Sequence, residues 1–483
     1  MSIFLKVSNN LVFGILIAIF YFQSASAAKI SKDITNELKE HDQVSVIVSL
    51  KGAKSQFNKA QHLGGGQWLN LQDYIGEAQQ KLAKEMGWRN FNEIVRFKNT
   101  PAIAKTINAN ELKRLRESSE VQDIFLDRFN TLSLVQSSKS IGLGRINTSK
   151  YSGKGSAVAI IDTGIDEDHP FFQGRVIAGA CFSKNASCAN GKKVMLGQSA
   201  GQPCKEASCG HGTHVAGIVA GKNNKVQGVA PKANLLAVNV FSITDKGIGA
   251  YQSDQIQALE WVYENSVKYN IKAINMSLGG GYYQDYCDEE TPSQFMVKLL
   301  ASRGVATVAA SGNEYYIDGV SSPGCLSDVI SVGSTNPDNS ISKFSNSYKR
   351  LNALAPGGKI YSSVPGGGYK VLSGTSMATP QVAGAVAVLT SAFPKASLIE
   401  IKKALKQGQL IKDPRNGIGT ASLNVSRSIT WLEEQSIKKT SKSSYKPARK
   451  SKDSSKRKSN CSKRVDGIWI QNTKGDCSKE IEW

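Results

Sequence analysis

Val158-Ala-Ile-Ile-Asp-Thr-Gly164 reads as a short strand with no polar face, ending on a carboxylate and a turn. A run that is apolar on both sides suits a strand covered by helices on both faces, which is the setting of a parallel sheet. Further β-rich runs follow at residues 235–240, 273–277, 305–310 and 329–332, with helical spacing between them, as at Ile256, Leu259, Val262 and Val267. Strands alternating with helices predict an α/β domain with a mainly parallel sheet flanked by helices. Asp162, at the carboxyl end of its strand, then faces the crevice where such folds place their chemistry.

Two other stretches carry partners for that carboxylate. Gly210-His-Gly-Thr-His-Val-Ala-Gly217 puts His211 at a glycine-edged helix start. Gly374-Thr-Ser-Met-Ala-Thr-Pro380 puts Ser376 between a small-residue turn and an apolar run. In that run Met377, Ala378, Val382, Ala383, Val386 and Leu389 suit one buried helix. Backbone N–H groups at a helix N-terminus have no partner inside the helix and point at whatever binds. A serine there can attack a carbonyl and have the oxyanion held by its own amide, provided a base takes its proton. Asp, His, Ser is also one of the three chain orders in which this triad occurs.

With Asn275-Met-Ser-Leu-Gly-Gly280 and Ser311-Gly-Asn313 lying between, the chain resembles the subtilisin-like serine proteases over roughly residues 140–430. The resemblance implies a serine endopeptidase that cuts extended polypeptides through an acyl-enzyme. Asp162, His211 and Ser376 would be its catalytic residues, with the Asn313 side chain as second oxyanion donor. It also implies that Ser277, Leu278, Gly279, Ala310 and Gly312 form walls of the primary pocket, with Gly249 in a strand beside the substrate. The pocket floor is expected near residues 321–324, with a preference for large apolar or aromatic side chains. Tyr282, Tyr283 and Tyr286, in an insertion after the wall, either narrow the cleft or face solvent. His214 and His169 match structural positions of the family rather than metal ligands. No cofactor is needed for the chemistry. The best-known family calcium site looks absent, because Phe171 follows Pro170 and Lys225 stands in a short loop, so no metal ligands are assigned. Calcium elsewhere stays open.

The chain's start reads as export machinery. Lys6 precedes an apolar run over residues 11–22 and an Ala-x-Ala site in Ser24-Ala-Ser-Ala27, so residues 1–27 are expected to be a signal peptide and the protein secreted. The run is shorter than the ~20 residues that span a bilayer. Residues 28–136 have their own pattern. Val44, Val46 and Val48 alternate, while Leu71, Ile75, Ala78, Leu82 and Met86 follow helical spacing. Strands are predicted at residues 94–97, 103–107 and 121–126, with a helix capped by Asn108 and Glu111 and carrying Leu112 and Leu115. The sum is βαββαβ, a small α+β ferredoxin-like domain. Its place before residues 137–432, the catalytic domain, makes it resemble the family's inhibitory propeptide, an intramolecular inhibitor.

Eight cysteines, an even count in an exported chain, point to disulfides. Pairing within sequence clusters leaves only the first four cysteines ambiguous. The favoured set is Cys181-Cys188, Cys204-Cys209 and Cys287-Cys325, with Cys461-Cys477 clipping a small element over residues 461–483. Before that element, residues 433–460 read as a disordered basic linker. Twelve Lys or Arg against one acid over residues 438–464 supply +11 of the chain's +21. Such charge attracts anionic surface polymers. The rival function is therefore a surface-binding protein that uses the tail and keeps the protease fold as a scaffold. Sequence-specific nucleic-acid binding has no supporting motif. Protein or peptide substrates and a monomeric state are expected.

Overall fold

The computed structural model describes residues 28–30, 32–52, 66–127, 129–130, 141–142, 146, 150–224, 226–245, 247–444, 462–465 and 468–471. It divides into two compact units, residues 1–434 and 435–483.

The N-terminal part of the first unit is a five-stranded sheet with helices. Its elements are β1 (Lys29–Ile30), α1 (Lys32–Glu40), β2 (Gln43–Leu50), α2 (Gly66–Glu85), β3 (Val95–Arg96), β4 (Ala102–Asn108), α3 (Ala109–Glu117) and β5 (Val121–Leu126), in the order β1-β5-β2-β4-β3. From β2 to β5 the order of elements is the expected βαββαβ. The Asn108 side chain accepts from the Glu111 N–H and the Glu111 carboxylate accepts from the Asn108 N–H, closing a capping box on α3. Two elements were not foreseen. β1 has two residues, too few to show a period, and α1 is mostly polar, with Ile34 its one fully buried side chain.

The main sheet has eight strands, β7 (Ala157–Asp162), β8 (Val176–Phe182), β9 (Val194–Leu196), β10 (Asn234–Asn239), β13 (Ile271–Met276), β15 (Ala306–Ala310), β17 (Ile330–Thr335) and β18 (Ala353–Pro356). In the order β18-β17-β15-β13-β7-β10-β8-β9, every neighbouring pair is parallel except β8 with β9. Side-chain alternation splits β7 between two cores. Val158 and Ile160 join the core under α4 (His211–Ala220), α7 (Thr375–Ala392) and α8 (Leu398–Leu405), while Ala157, Ala159 and Ile161 join the core under α5 (Gln252–Asn265) and α6 (Gln294–Ser302). Both faces are therefore covered, as the apolar run of β7 requires.

Helix α7 is buried from Thr375 to Thr390, and Met377, Ala378, Val382, Ala383, Val386 and Leu389 are each 0 % exposed. Ile256, Leu259 and Val262 of α5 are buried as expected, but Val267 is 80 % exposed. It falls beyond Asn265, where α5 ends, so its spacing was a coincidence of the turn.

Ile47, Ala102 and Ala104 of the N-terminal sheet, with Phe97 just after β3, belong to the core that contains α5 and α6. The N-terminal part of the unit is thus packed on these helices through its sheet face. After β5 the chain continues into β6 (Phe129–Asn130), which pairs antiparallel with β12 (Gly247–Tyr251), itself paired with β11 (Phe241–Thr244). Smaller pairs complete the first unit: β14 (Gly280–Tyr283) with β16 (Val320–Ser322), β19 (Ile360–Val364) with β20 (Gly368–Leu372), and β21 (Leu410–Lys412) with β22 (Gly419–Ala421).

Disulfides join Cys181 to Cys188, Cys204 to Cys209 and Cys287 to Cys325. Cys461 and Cys477 lie outside the described residues. Helix α9 (Val425–Ser444) runs through the start of the segment expected to be an unstructured linker. Its N-terminal turns bury Val425, Ile429 and Leu432, and the helix then propagates into a Lys/Ser sequence that could not nucleate one alone. In the second unit β23 (Ser462–Val465) and β24 (Ile468–Gln471) form an antiparallel hairpin.

Candidate active site

Three helix or strand ends build the site. β7 ends at Asp162, and Thr163 just beyond it fixes the start of α4. The Thr163 hydroxyl accepts from the Gly212 N–H at 2.8 Å and donates to the Cys209 carbonyl at 2.8 Å. A Cβ on Gly212 would lie 3.1 Å from Asp162 Oδ1 and closer still to the Gly164 carbonyl, so only glycine lets strand and helix approach this way. The result is that His211 Nδ1 sits 2.8 Å from Asp162 Oδ1, both side chains buried. Asp162 Oδ1 also accepts from the Thr163 N–H at 2.7 Å. With the carboxylate on Nδ1, the proton is held there and Nε2 is left as a base. Nε2 has no hydrogen-bond partner among the described residues.

Ser376 is the second residue of α7, where backbone N–H groups have no intrahelical acceptor. Pro380 lies four residues on inside the helix and has no N–H to give back to the Ser376 carbonyl. That carbonyl accepts instead from the Ser277 hydroxyl at 2.7 Å, while Ser376 Oγ donates to the Ser277 carbonyl at 3.1 Å. Asn275 Nδ2 donates to the Ser277 hydroxyl at 2.9 Å and completes the support. Ser376 Oγ is therefore turned toward Ser277 rather than His211. Catalytic hydrogen bonds are often not formed before substrate arrives. Sequence reading saw Ser277 as a pocket wall only. The signal for its bond to the Ser376 carbonyl was Pro380, four residues after the serine.

The Asn313 amide is oriented by the same turn. Its Oδ1 accepts from the Thr375 N–H at 2.8 Å and from the Thr375 hydroxyl at 3.1 Å, which leaves Nδ2 as the outward donor. Walls meet nearby. Gly280 pairs with Ser322, a Cβ on Gly279 would lie 3.0 Å from the Ser322 carbonyl, and one on Gly324 would lie 2.6 Å from the Ala310 carbonyl. Gly312 holds φ +103°, and a Cβ there would crowd Asn346, Glu314 and Ser321. Leu278 and Ala310 are buried beside them. Gly249 lies in β12, opposite Ser242 of β11. Glu314, not singled out from sequence, accepts from the Asn313 N–H at 2.8 Å and Asn346 Nδ2 at 2.7 Å.

Tyr283 is a core residue, whereas Tyr282 and Tyr286 are exposed. Tyr282 donates to Asp318 at 2.6 Å, and the Arg350 guanidinium lies 4.1 Å above the Tyr286 ring. The three tyrosines thus divide between core and solvent. His214 donates from Nε2 to the Lys370 carbonyl at 3.1 Å, and burial, aided by the neighbouring His211, lowers its pKa to about 3, so it is neutral. His169 Nε2 lies 3.0 Å from the Gly368 carbonyl. Phe171 is buried against the Tyr369 ring and fills the position after Pro170. Among the described residues no three His, Cys, Asp or Glu side chains gather as a metal site.

A sequence profile described as the subtilase family matches residues 153–451. The chain is 38 % identical over 250 residues to an intracellular serine protease of Paenibacillus polymyxa, covering 49 % of this chain and 67 % of that protein. It is 34 % identical over 318 residues to subtilisin E of Bacillus subtilis, covering 64 % and 76 %. Subtilisin Savinase of Lederbergia lenta is 35 % identical over 278 residues, covering 56 % and 90 %.

Proposed function

Because the chain belongs to the subtilase family and is therefore a serine endopeptidase, we propose that Ser376, His211 and Asp162 perform its chemistry and that it is exported as a self-inhibited zymogen. The observation that carries this reading is the buried 2.8 Å pair of His211 Nδ1 with Asp162 Oδ1, which keeps Nε2 free as a base. Ser376 Oγ turns from the Ser277 carbonyl to His211, gives up its proton and attacks the scissile carbonyl. The oxyanion forms between the Ser376 N–H and Asn313 Nδ2. His211 then protonates the leaving amine, and water repeats the sequence on the acyl-enzyme. Asp162 holds the imidazole tautomer and steadies the imidazolium without taking a proton. The family needs no cofactor for this catalysis.

Self-inhibition is supported by the pairing of β6 with β12, since a segment of the chain's own N-terminal side lies where an extended substrate would add a strand. Residues 28–136 are then the propeptide and residues 137–432 the catalytic domain. Export is supported by the leader-like residues 1–27 and by three disulfides, which suit an oxidising compartment. No helix among the described residues is long and apolar enough to cross a membrane. The test is expression with and without Ser376→Ala, following precursor size and casein cleavage. Shedding of the N-terminal domain and casein cleavage only in the wild type support the reading. Full-length folded protein without cleavage in both chains would overturn it.

A further inference from the structure

The carboxylate of Asp127 is seated on a built site. Its Oδ1 accepts from the Ser253 N–H at 2.9 Å, and its Oδ2 accepts from the Ser253 hydroxyl at 2.7 Å and from Lys184 Nζ at 3.3 Å. Asp127 is 4 % exposed and Ser253 is 0 % exposed. All the receiving groups belong to the main domain, so they remain when the N-terminal domain leaves.

The site is held ready by its own scaffold. Ser253 is the second residue of α5, whose N-cap residue, Tyr251, makes no side-chain cap, so the helix start relies on an acceptor from elsewhere. Lys184 stands in the β8–β9 hairpin next to the Cys181–Cys188 bridge. Ser183, beside it, lies 2.7 Å from the Ser242 hydroxyl, and the Lys184 ammonium sits 4.8 Å from the Tyr251 ring centroid. Asp254 is the other carboxyl at this place. Its Oδ2 accepts from the Lys184 N–H at 3.0 Å, and burial pushes its pKa up, which lessens its repulsion of an anionic guest.

Position along the cleft adds direction. Phe129 lies opposite Tyr251 and Asn130 opposite Ala250, and Asp127 is two residues before Phe129. We propose that in the processed enzyme Lys184 and Ser253 form a subsite for an aspartate or glutamate side chain of the substrate, two residues before the one opposite Tyr251. This rests on the reading of β12 as the strand that pairs with substrate. The enzyme then favours polypeptides with an acidic residue upstream of the cut, and its own N-terminal domain uses the same subsite.

The test uses the self-processed enzyme and internally quenched peptides with the sequence of residues 125–140, carrying Asp or Asn at the place of Asp127. A short chromogenic peptide that lacks this position reports the protease reading separately. Replacing a charge-assisted contact predicts an Asp-to-Asn ratio in kcat/KM of about tenfold to a hundredfold, carried by KM. The ratio should fall toward one in Lys184→Ser and in high salt, and return in Lys184→Arg. A ratio of one in the wild type, with the short peptide still cut, overturns the subsite and makes the pocket an anchor for the N-terminal domain only. A ratio unchanged in Lys184→Ser overturns the role of Lys184. Failure to cut either the long or the short peptide removes the protease reading and this proposal with it.

Discussion

Substituting Glu260→Gln should change how pH controls release of the N-terminal domain. Glu260, on α5, accepts from the Asn99 N–H at 2.8 Å and from the Lys98 N–H at 3.1 Å, both on the turn between β3 and β4. Burial raises its pKa to about 7, against the lowering effect of those N–H groups. In the separated enzyme the same face of α5 meets water, and its carboxyl should titrate near the ordinary value of about 4.3. The assembled state therefore binds a proton more tightly than the separated one. Its contribution to docking is fully present below the separated-state pKa and is lost as pH rises through about 7. That gap of about 2.7 pH units corresponds to roughly 4 kcal/mol, or ~500-fold in the dissociation constant, as an upper bound, of which ~30-fold is expressed above pH ~5.5. The assay is serial dilution of the cleaved, non-covalent complex into a short chromogenic substrate from pH ~5.5 to ~8.5, normalised to fully released enzyme so that the pH profile of catalysis itself cancels. The wild type should release its N-terminal domain more readily at the alkaline end, and Glu260→Gln should flatten that dependence. An identical slope in both chains would show that Glu260 is not the group responsible.

Two further outcomes follow from the site and its frame. Asn313→Ala removes the outward amide donor, and kcat for a short peptide should fall about 100- to 1000-fold with little change in KM; that magnitude comes from subtilisin, a member of the same family. Breaking the Cys287–Cys325 bridge with Cys287→Ser and Cys325→Ser reopens the longest disulfide-closed loop among the described residues, 38 residues in sequence. Chain entropy puts the cost at up to about 4 kcal/mol, which a denaturant titration of the processed enzyme would register as a lowered midpoint.

The parts of this protein legible in sequence are those set by local pattern. The apolar run of β7 required a sheet covered on both faces, and the chain supplies helices for each. The small turn before the buried run of α7 placed Ser376 at a helix start, where it is found. Asn108 and Glu111 announced their capping box four residues at a time. What stayed hidden depends on residues far apart in the chain. The contact of Glu260 with Asn99 spans 161 positions and that of Ser253 with Asp127 spans 126, and no period or motif marks either. Lys184 looked like one of many surface lysines in a basic chain, although its side chain is only 17 % exposed. Val267 shows the opposite error, an apolar residue at helical spacing that lies past the helix end. In α9, composition argued for disorder, but burial of its first turns extends the helix into Lys/Ser sequence.

The role of Ser376 as nucleophile is tested most directly by locating the adduct that phenylmethanesulfonyl fluoride leaves on the self-processed enzyme, by peptide mass mapping. One sulfonyl group on the peptide containing Ser376, with parallel loss of casein cleavage, is the predicted result. An adduct on another side chain, or unmodified Ser376 in enzyme that has lost its activity, would contradict it.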